Sequence, residues 1–344
     1  MNTLVRNLLI TVGAAVVLLG LTYELDSFRD YQLATAAAYL CATAGLTVLI
    51  GLNGQVSLGH GALMATGAYT VALTQNAFSD ANVSAQWTLA VSLLAGVVAA
   101  TLAGAIIGVA AARLRGPYLA GVTLAVALVV PAFTTVFAGV FKGDQGLSVA
   151  VAPPPDSLGF SFPTERWQSW LALAAALLVM LLLANLLRSR FGRNFRAVRD
   201  NEIAARLAGI HVARTQVLAF VVSAGCAGLG GGMLAVLAQS VSPSAFSLTL
   251  SLYLLLAIVV GGLGSLAGAV WGALALVLLP ELLSGLTGAL HLSPAAAQRL
   301  EGNLPLAVFG LTLIVVMIGA PTGIQGVLSR ATRVATRRIR KPAS

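Results

Sequence analysis

Leu171-Ala-Leu-Ala-Ala-Ala-Leu-Leu-Val-Met-Leu-Leu-Leu-Ala-Asn-Leu-Leu187 contains no charged side chain and no alternation of polar with apolar residues. As a helix rising ~1.5 Å per residue, it reaches across most of the ~30 Å hydrocarbon layer of a bilayer. A strand of a transmembrane barrel would instead alternate in polarity over ~10 residues. Uninterrupted apolar runs of roughly 15 to 25 residues recur along the chain, the length a membrane-crossing helix needs. Of the 344 residues, 58% are hydrophobic and only 9% charged, where soluble domains carry about 25% charged residues. The mean hydropathy is +0.92. The fold class that follows is all-α: a polytopic transmembrane helical bundle of about ten segments.

The formal net charge of +9 invites a nucleic-acid partner, but the placement of the charge argues for membrane topology. Most of the 20 Lys and Arg fall at Arg6, at Arg113 and Arg115, at the arginines 188, 190, 193, 196, 199, 206 and 214, and in the tail from Arg330 to Lys341. These are loops and ends, and positive charge gathers on the cytoplasmic side of a membrane. Cys41 and Cys226 lie inside apolar runs, so they read as packing residues and not as a disulfide framework. The opening stretch, Arg6 followed by Leu8 to Leu21, resembles a signal peptide without a small-residue cleavage site and reads as an uncleaved first span.

The expected segments are 7–22, 32–50, 58–74, 88–112, 118–140, 169–187, 215–236, 249–262, 266–284 and 304–319. Ten crossings put both termini on one side, together with Arg113, Arg115 and the 188–214 loop. Glu24, Asp26, Asp30, Asp80, Asp144, Asp156 and Glu165 then face the other side. Residues 1–329 read as one transmembrane domain containing the 188–214 loop, and 330–344 as a basic cytoplasmic tail. Pro153-Pro-Pro155 and Pro163 rule out a helix through the outer loop, and Trp167 and Trp170 suit an interfacial anchor for the next span.

Two stretches are not plain spans. Gly51-Leu-Asn-Gly-Gln-Val-Ser-Leu-Gly-His-Gly61 and Val260-Gly-Gly-Leu-Gly-Ser265 insert glycines and polar side chains between apolar runs. Non-helical backbone at membrane depth survives only where protein or a water-filled cavity satisfies it. One reading is a short cytoplasmic turn with close helix packing through glycine. The other is the lining of a translocation path by interrupted helices, with Asn53, Gln55, Ser57, Gly59 and His60 from the first stretch and Gly261, Gly262, Gly264 and Ser265 from the second. Uncharged donors and acceptors there suit a zwitterion or an amide in passage.

Chemistry is sparse elsewhere. Lys142 and Lys341 are followed by Gly143 and Pro342, so no phosphate-cradling G-x-x-x-x-G-K-[ST] exists. The acidic residues lie in loops or near ends, Glu281 coming closest to a position inside a span, and this weakens a proton-coupled carrier. His60 has no second ligand nearby in sequence, so it reads as a hydrogen-bonded packing residue and no metal site is expected. No G-x-S-x-G is present, and neither enzymatic activity nor a cofactor is expected. In Asp200-Asn-Glu-Ile-Ala-Ala-Arg-Leu-Ala-Gly209, Asp200 or Asn201 can cap a short helix, Glu202 and Arg206 suit its two ends, and Gly209 can take the left-handed residue that closes it. Its paired alanines leave a low-relief surface for a cytoplasmic partner, or it is a solvated linker.

Several stretches resemble the branched-chain amino-acid ABC transporter permeases of the LivM type, with sister families for urea and short amides. They are Gly54-Gln-Val-Ser-Leu-Gly-His-Gly-Ala62 with Gly67-Ala-Tyr69, Leu114-Arg-Gly-Pro-Tyr118, Gly143-Asp-Gln-Gly-Leu147, Phe191-Gly-Arg193 through Gly209-Ile210, Ser242-Pro243, and Gly261-Gly-Leu-Gly-Ser265 with Pro280-Glu-Leu282. The resemblance implies a permease subunit of an importer in a bacterial inner membrane. It would work with a homologous second permease, two cytoplasmic ABC ATPase subunits, an extracytoplasmic (periplasmic) solute-binding protein and surrounding lipid, and with no nucleic acid. It also implies that Glu202, Ala204, Ala205 and Gly209 form the segment that couples to the ATPase; Ile203 stands where that pattern has Glu. The alternatives are a permease for urea or short amides, or a transporter that works without partners.

Overall fold

The computed structural model describes residues 3–78, 84–114, 116–159, 162–289, 308, 310, 311, 314, 315, 318, 319 and 322–339. Asp80, Arg115, much of the expected 304–319 span and the end of the tail from 340 lie outside the described residues. The apolar runs become helices α1 (Thr3–Leu21), α2 (Ser27–Leu46), α3 (His60–Phe78), α4 (Ala85–Ala111), α5 (Pro117–Val136), a short α6 (Ala138–Phe141), α7 (Thr164–Arg188) and α10 (Val212–Ala238). Between α7 and α10 lie α8 (Arg190–Asp200) and α9 (Glu202–Leu207), and after α10 come α11 (Leu248–Gly261), α12 (Leu266–Ala289) and α13 (Gly323–Ile339). Each expected span up to residue 284 overlaps a described helix, most of them extended by a few residues, but the 118–140 span is divided at Phe137 between α5 and α6. The helices run past their apolar cores because backbone hydrogen bonding continues into the interface until a cap or proline ends it.

Seven described helices are long and apolar enough to cross a membrane. α3 is not among them, and its surroundings explain why: His60 to Ala65, Ala68, Tyr69, Val71, Ala72 and Gln75 are buried by protein. A helix enclosed by other helices need not be apolar all round to survive at membrane depth. α4 shows the opposite design. Ser92, Gly96, Ala100, Gly104 and Gly108 recur every fourth residue and are buried, while Leu94, Val98, Leu102 and Ile106, also four apart, are exposed. In water that arrangement would be inside out, but in lipid it places large apolar groups outward and lets backbones approach through small residues.

α10 is the central element, with α2, α3 and α4 packed around it. Its glycines set the spacing: a Cβ at Gly228 or Gly231 would overlap α4 or the Met64 backbone, and one at Gly230 would stand 2.6 Å from the Ala38 carbonyl. Cys41 and Cys226 are free and buried, as expected of packing residues. α7 covers α2, α1 covers α7, and α12 packs on both α2 and α11.

The ends of the bundle differ in charge. At one end Arg166 reaches Asp30 at 3.4 Å and lies over the Tyr23 ring, and Arg29 pairs with Glu281 at 3.1 Å. Glu281, the acid that came closest to lying inside a span, therefore sits at this end with a cationic partner. Trp170 donates to the Thr22 hydroxyl at 3.0 Å and packs on Phe162 and Tyr23. The same region holds a two-stranded antiparallel sheet, β1 (Leu147–Ser148) with β2 (Ser240–Val241). Gly146, at φ +71°, lies so close to the Val241 carbonyl that a Cβ would overlap it. The Gly143–Leu147 and Ser242-Pro243 stretches thus meet in space. The arginine-rich α8 and α9 lie at the other end.

Candidate translocation segment and coupling loop

α2 does not stop at Leu46 but widens into a π-helical turn over Thr47–Leu52, a form that often marks functional sites. The amides of Asn53, Gln55 and Gly54 return to the Val48, Leu49 and Ile50 carbonyls at 3.1 Å each. The chain then reverses at Gly54 (φ +76°) and runs without regular secondary structure to Gly59, with a bend at Leu58. His60 Nε2 lies 3.0 Å from the Ala42 carbonyl. Because a carbonyl only accepts, Nε2 carries the proton. Ala42 precedes Leu52 by about 15 Å of helix rise, so the few residues from Gly54 to Gly59 are drawn out as they climb back along α2, and α3 begins within the helical layer.

Burial alternates along this segment, and the sorting is by polarity. Asn53, Gln55 and Ser57 are buried, whereas Gly54 and Val56 are exposed, Val56 by 43%. Asn53 Nδ2 donates to Gln55 Oε1 at 2.7 Å. Asn53 Oδ1, Gln55 Nε2 and His60 Nδ1 are buried without a hydrogen-bond partner among the described residues. Buried polar atoms are nearly always paired, so unpaired ones at the neighbouring Asn53 and Gln55, and again at His60 farther along the segment, call for an explanation.

Glycines fix this segment against its neighbours. The Leu58 amide donates to Thr123 Oγ1 at 3.0 Å, and a Cβ at Gly59 would stand 2.5 Å from the Thr123 carbonyl oxygen. The Gly61 amide donates to Ser251 Oγ at 2.9 Å. The second interrupted stretch joins the first: a Cβ at Gly51 would stand 2.7 Å from Gly264 Cα. Gly262 and Gly264 have φ +126° and +80°, and Ser265 Oγ accepts from the Gly268 amide at 3.4 Å. A Cβ at Gly261 would overlap the Gly268 carbonyl, and Gly323 of α13 lies against Gly262. Close glycine packing is therefore present at both stretches, but it leaves the inward polar side chains unexplained.

In the arginine-rich loop, Ser189 caps α8, and Asn201, not Asp200, caps α9, its Oδ1 accepting the amides of Ile203 and Ala204 at 3.0 Å. α9 ends as the sequence implied. The Ile210 amide bonds the Ala205 carbonyl at 2.9 Å, the Gly209 amide bonds that of Arg206 at 3.0 Å, and Gly209 has φ +81°, a Schellman closure. The paired alanines divide between two faces. Ala205 is buried against Val198 and Val212, while Ala204 faces outward. Glu202 accepts from Gln216 Nε2 of α10 at 3.1 Å. The outer face of α9 is not low in relief, because Ile203 and Leu207 are 73% and 86% exposed. From the sequence Ile203 was marked only as a departure from the coupling pattern, and Leu207 was not singled out. Their i, i+4 spacing on a loop helix was the available signal.

The family profile described as branched-chain amino acid transport system / permease component matches residues 29–319. The chain belongs to this family. High-affinity branched-chain amino acid transport system permease protein LivM of Salmonella typhimurium is 34% identical over 266 residues, covering 71% of this chain and 61% of LivM. This chain thus spans about three fifths of that relative's length. LivH, from the similarly named system of Escherichia coli, is 24% identical over 84% of this chain and 92% of its own. L-arabinose transport system permease protein AraH of Escherichia coli is 34% identical over 43% of this chain and 44% of its own. No solved structure matches this chain.

Proposed function

We propose that this chain is the membrane-spanning subunit of an ATP-binding-cassette importer in a bacterial inner membrane. It would form the path for branched-chain or related amino acids beside a homologous second permease, with both termini cytoplasmic. The observation that carries the reading is the family match over residues 29–319. The segment Asn53 to His60 fits a path element, because uncharged donors and acceptors held unpaired inside the helical layer can exchange partners with a passing zwitterion. Gly261, Gly262, Gly264 and Ser265 back that segment through the Gly51 contact. An extracytoplasmic binding protein would deliver the solute at the acidic end, and two ATPase subunits would engage the loop at the arginine-rich end.

α9 is the docking element in this scheme. Ile203 and Leu207, with Ala204 between them, form an apolar ridge that a groove on an ATPase can bury. Ala205 holds the helix to α8 and α10, Glu202 ties it to Gln216, and Gly209 closes it. Leu207→Asp places a charge on that ridge while leaving the buried side of α9 untouched. Burying an unpaired carboxylate costs enough that the ATPase copurifying with the variant should fall at least about tenfold, with the amount in the membrane unchanged. Normal copurification would remove α9 from the interface.

A further inference from the structure

Arg199, in the last turn of α8, connects pieces of chain that the sequence keeps far apart. Its Nη1 donates to the Gly51 carbonyl at 2.7 Å, across 148 residues. Helix-end accounting gives this bond its meaning. The last carbonyls of a helix have no intrahelical donor. Those of Val48, Leu49 and Ile50 are closed by the backbone just beyond the π-turn, whereas the next one, Gly51, is closed by a side chain from the loop. The stem of Arg199 lies over Gly54, where a Cβ would stand 2.9 Å from Arg199 Cγ, and Nη1 lies 3.8 Å from the Cβ position of Gly264. Through Nε and Nη2 the same guanidinium holds Asp200 Oδ1 at 3.0 and 2.9 Å. Asp200 directly precedes Asn201, the cap of α9.

We propose that Arg199 is the positioning residue that links α9 to the Gly51–Gly264 joint, so that displacement of the loop moves the carbonyl end of α2 and the segment carrying Asn53, Gln55 and Ser57. The proposal rests on α9 being the ATPase docking element. A guanidinium suits the task because its planar fork serves the Gly51 carbonyl and the Asp200 carboxylate together in fixed geometry, which an ammonium on a flexible stem cannot reproduce. At the joint no side chain separates Gly51 from Gly264, so movement of one backbone is transmitted to the other by direct contact.

The test uses the complete complex, purified with its ATPases and second permease and reconstituted with the binding protein. Three quantities are read for each variant: copurifying ATPase, ATP hydrolysis and uptake of radiolabelled leucine. Arg199→Ala should keep the ATPase bound and hydrolysing within about twofold, while uptake falls about tenfold or more, a loss of coupling without a loss of assembly. Arg199→Lys, which keeps a cationic donor near the Gly51 carbonyl, should recover part of the uptake. Wild-type uptake by Arg199→Ala overturns the proposal. So does a fall in uptake matched by an equal fall in bound ATPase in both variants, which would make Arg199 a structural residue only. Failure of the docking reading is distinguishable, since it appears as normal ATPase copurification in Leu207→Asp.

Discussion

Gly59 has no room for a side chain. Because a Cβ there would stand 2.5 Å from the Thr123 carbonyl oxygen, Gly59→Ala should push the segment off α5. It should lower the midpoint of thermal unfolding in detergent by an amount corresponding to about 1–3 kcal/mol, the usual cost of overpacking. An unchanged midpoint would mean that the segment is not held as described. A larger residue at this position therefore reports on packing before it reports on any path. Single residues were legible in the sequence where their partners are local. Asn201 caps α9 and Gly209 closes it because both act within one turn of their own position. The hydrogen-bonding role read for His60 also fits its contact with Ala42. Arg199 was one arginine among seven in its loop, and nothing in its neighbourhood could reveal a partner 148 residues away. The shared face of Ile203 and Leu207 was signalled by their i, i+4 spacing, but that it turns outward shows only once Ala205 is seen packed against Val198 and Val212.

Helices in this protein sort residues by size as much as by polarity, and α4 does so most plainly. A Cβ at Gly104 would overlap the Ala224 side chain of α10, while Leu102 is 61% exposed on the outer face. Gly104→Leu should therefore cut the yield of folded protein recovered from membranes several-fold, consistent with an overpacking cost of about 1–3 kcal/mol against marginal stability. Leu102→Ala should leave the yield unchanged. Size-exclusion profiles of the two variants expressed in parallel check this, and equal yields would contradict the packing of α4 on α10. Hydropathy made the helices legible because each apolar run has to satisfy its own backbone in lipid. The depth at which α3 begins was not legible. It depends on the drawn-out climb from Gly54 to Gly59 beside α2, which polarity alone cannot separate from a surface turn. The pairing of the two interrupted stretches through Gly51 and Gly264 was likewise invisible, because glycine carries no pattern that names its partner.

The whole molecule is polarised along its long direction. Asp30 with Arg166 and Glu281 with Arg29 gather at one end, and the arginines of α8 and α9 at the other. That asymmetry was readable from the chain because membrane insertion sorts positive charge by side. Within the bundle, the Asn53 to Ser57 face meets the loop through Arg199, and α13 closes on Gly262 with Gln325 accepting from Trp271 at 3.1 Å. In the proposed reading this arrangement would supply the route for a solute and a handle for an engine, and the sequence holds no phosphate-cradling G-x-x-x-x-G-K-[ST] of its own. Transport by this chain is, in that reading, driven by ATP hydrolysed on other subunits. Uptake of radiolabelled leucine into proteoliposomes tests it most directly, comparing the purified chain alone with the complex of both permeases, ATPases and binding protein. Concentrative uptake is expected from the complex only when ATP is supplied on the arginine-rich side, and none from the chain alone. Leucine movement through the isolated chain, at the same rate with or without ATP and the other subunits, would contradict it.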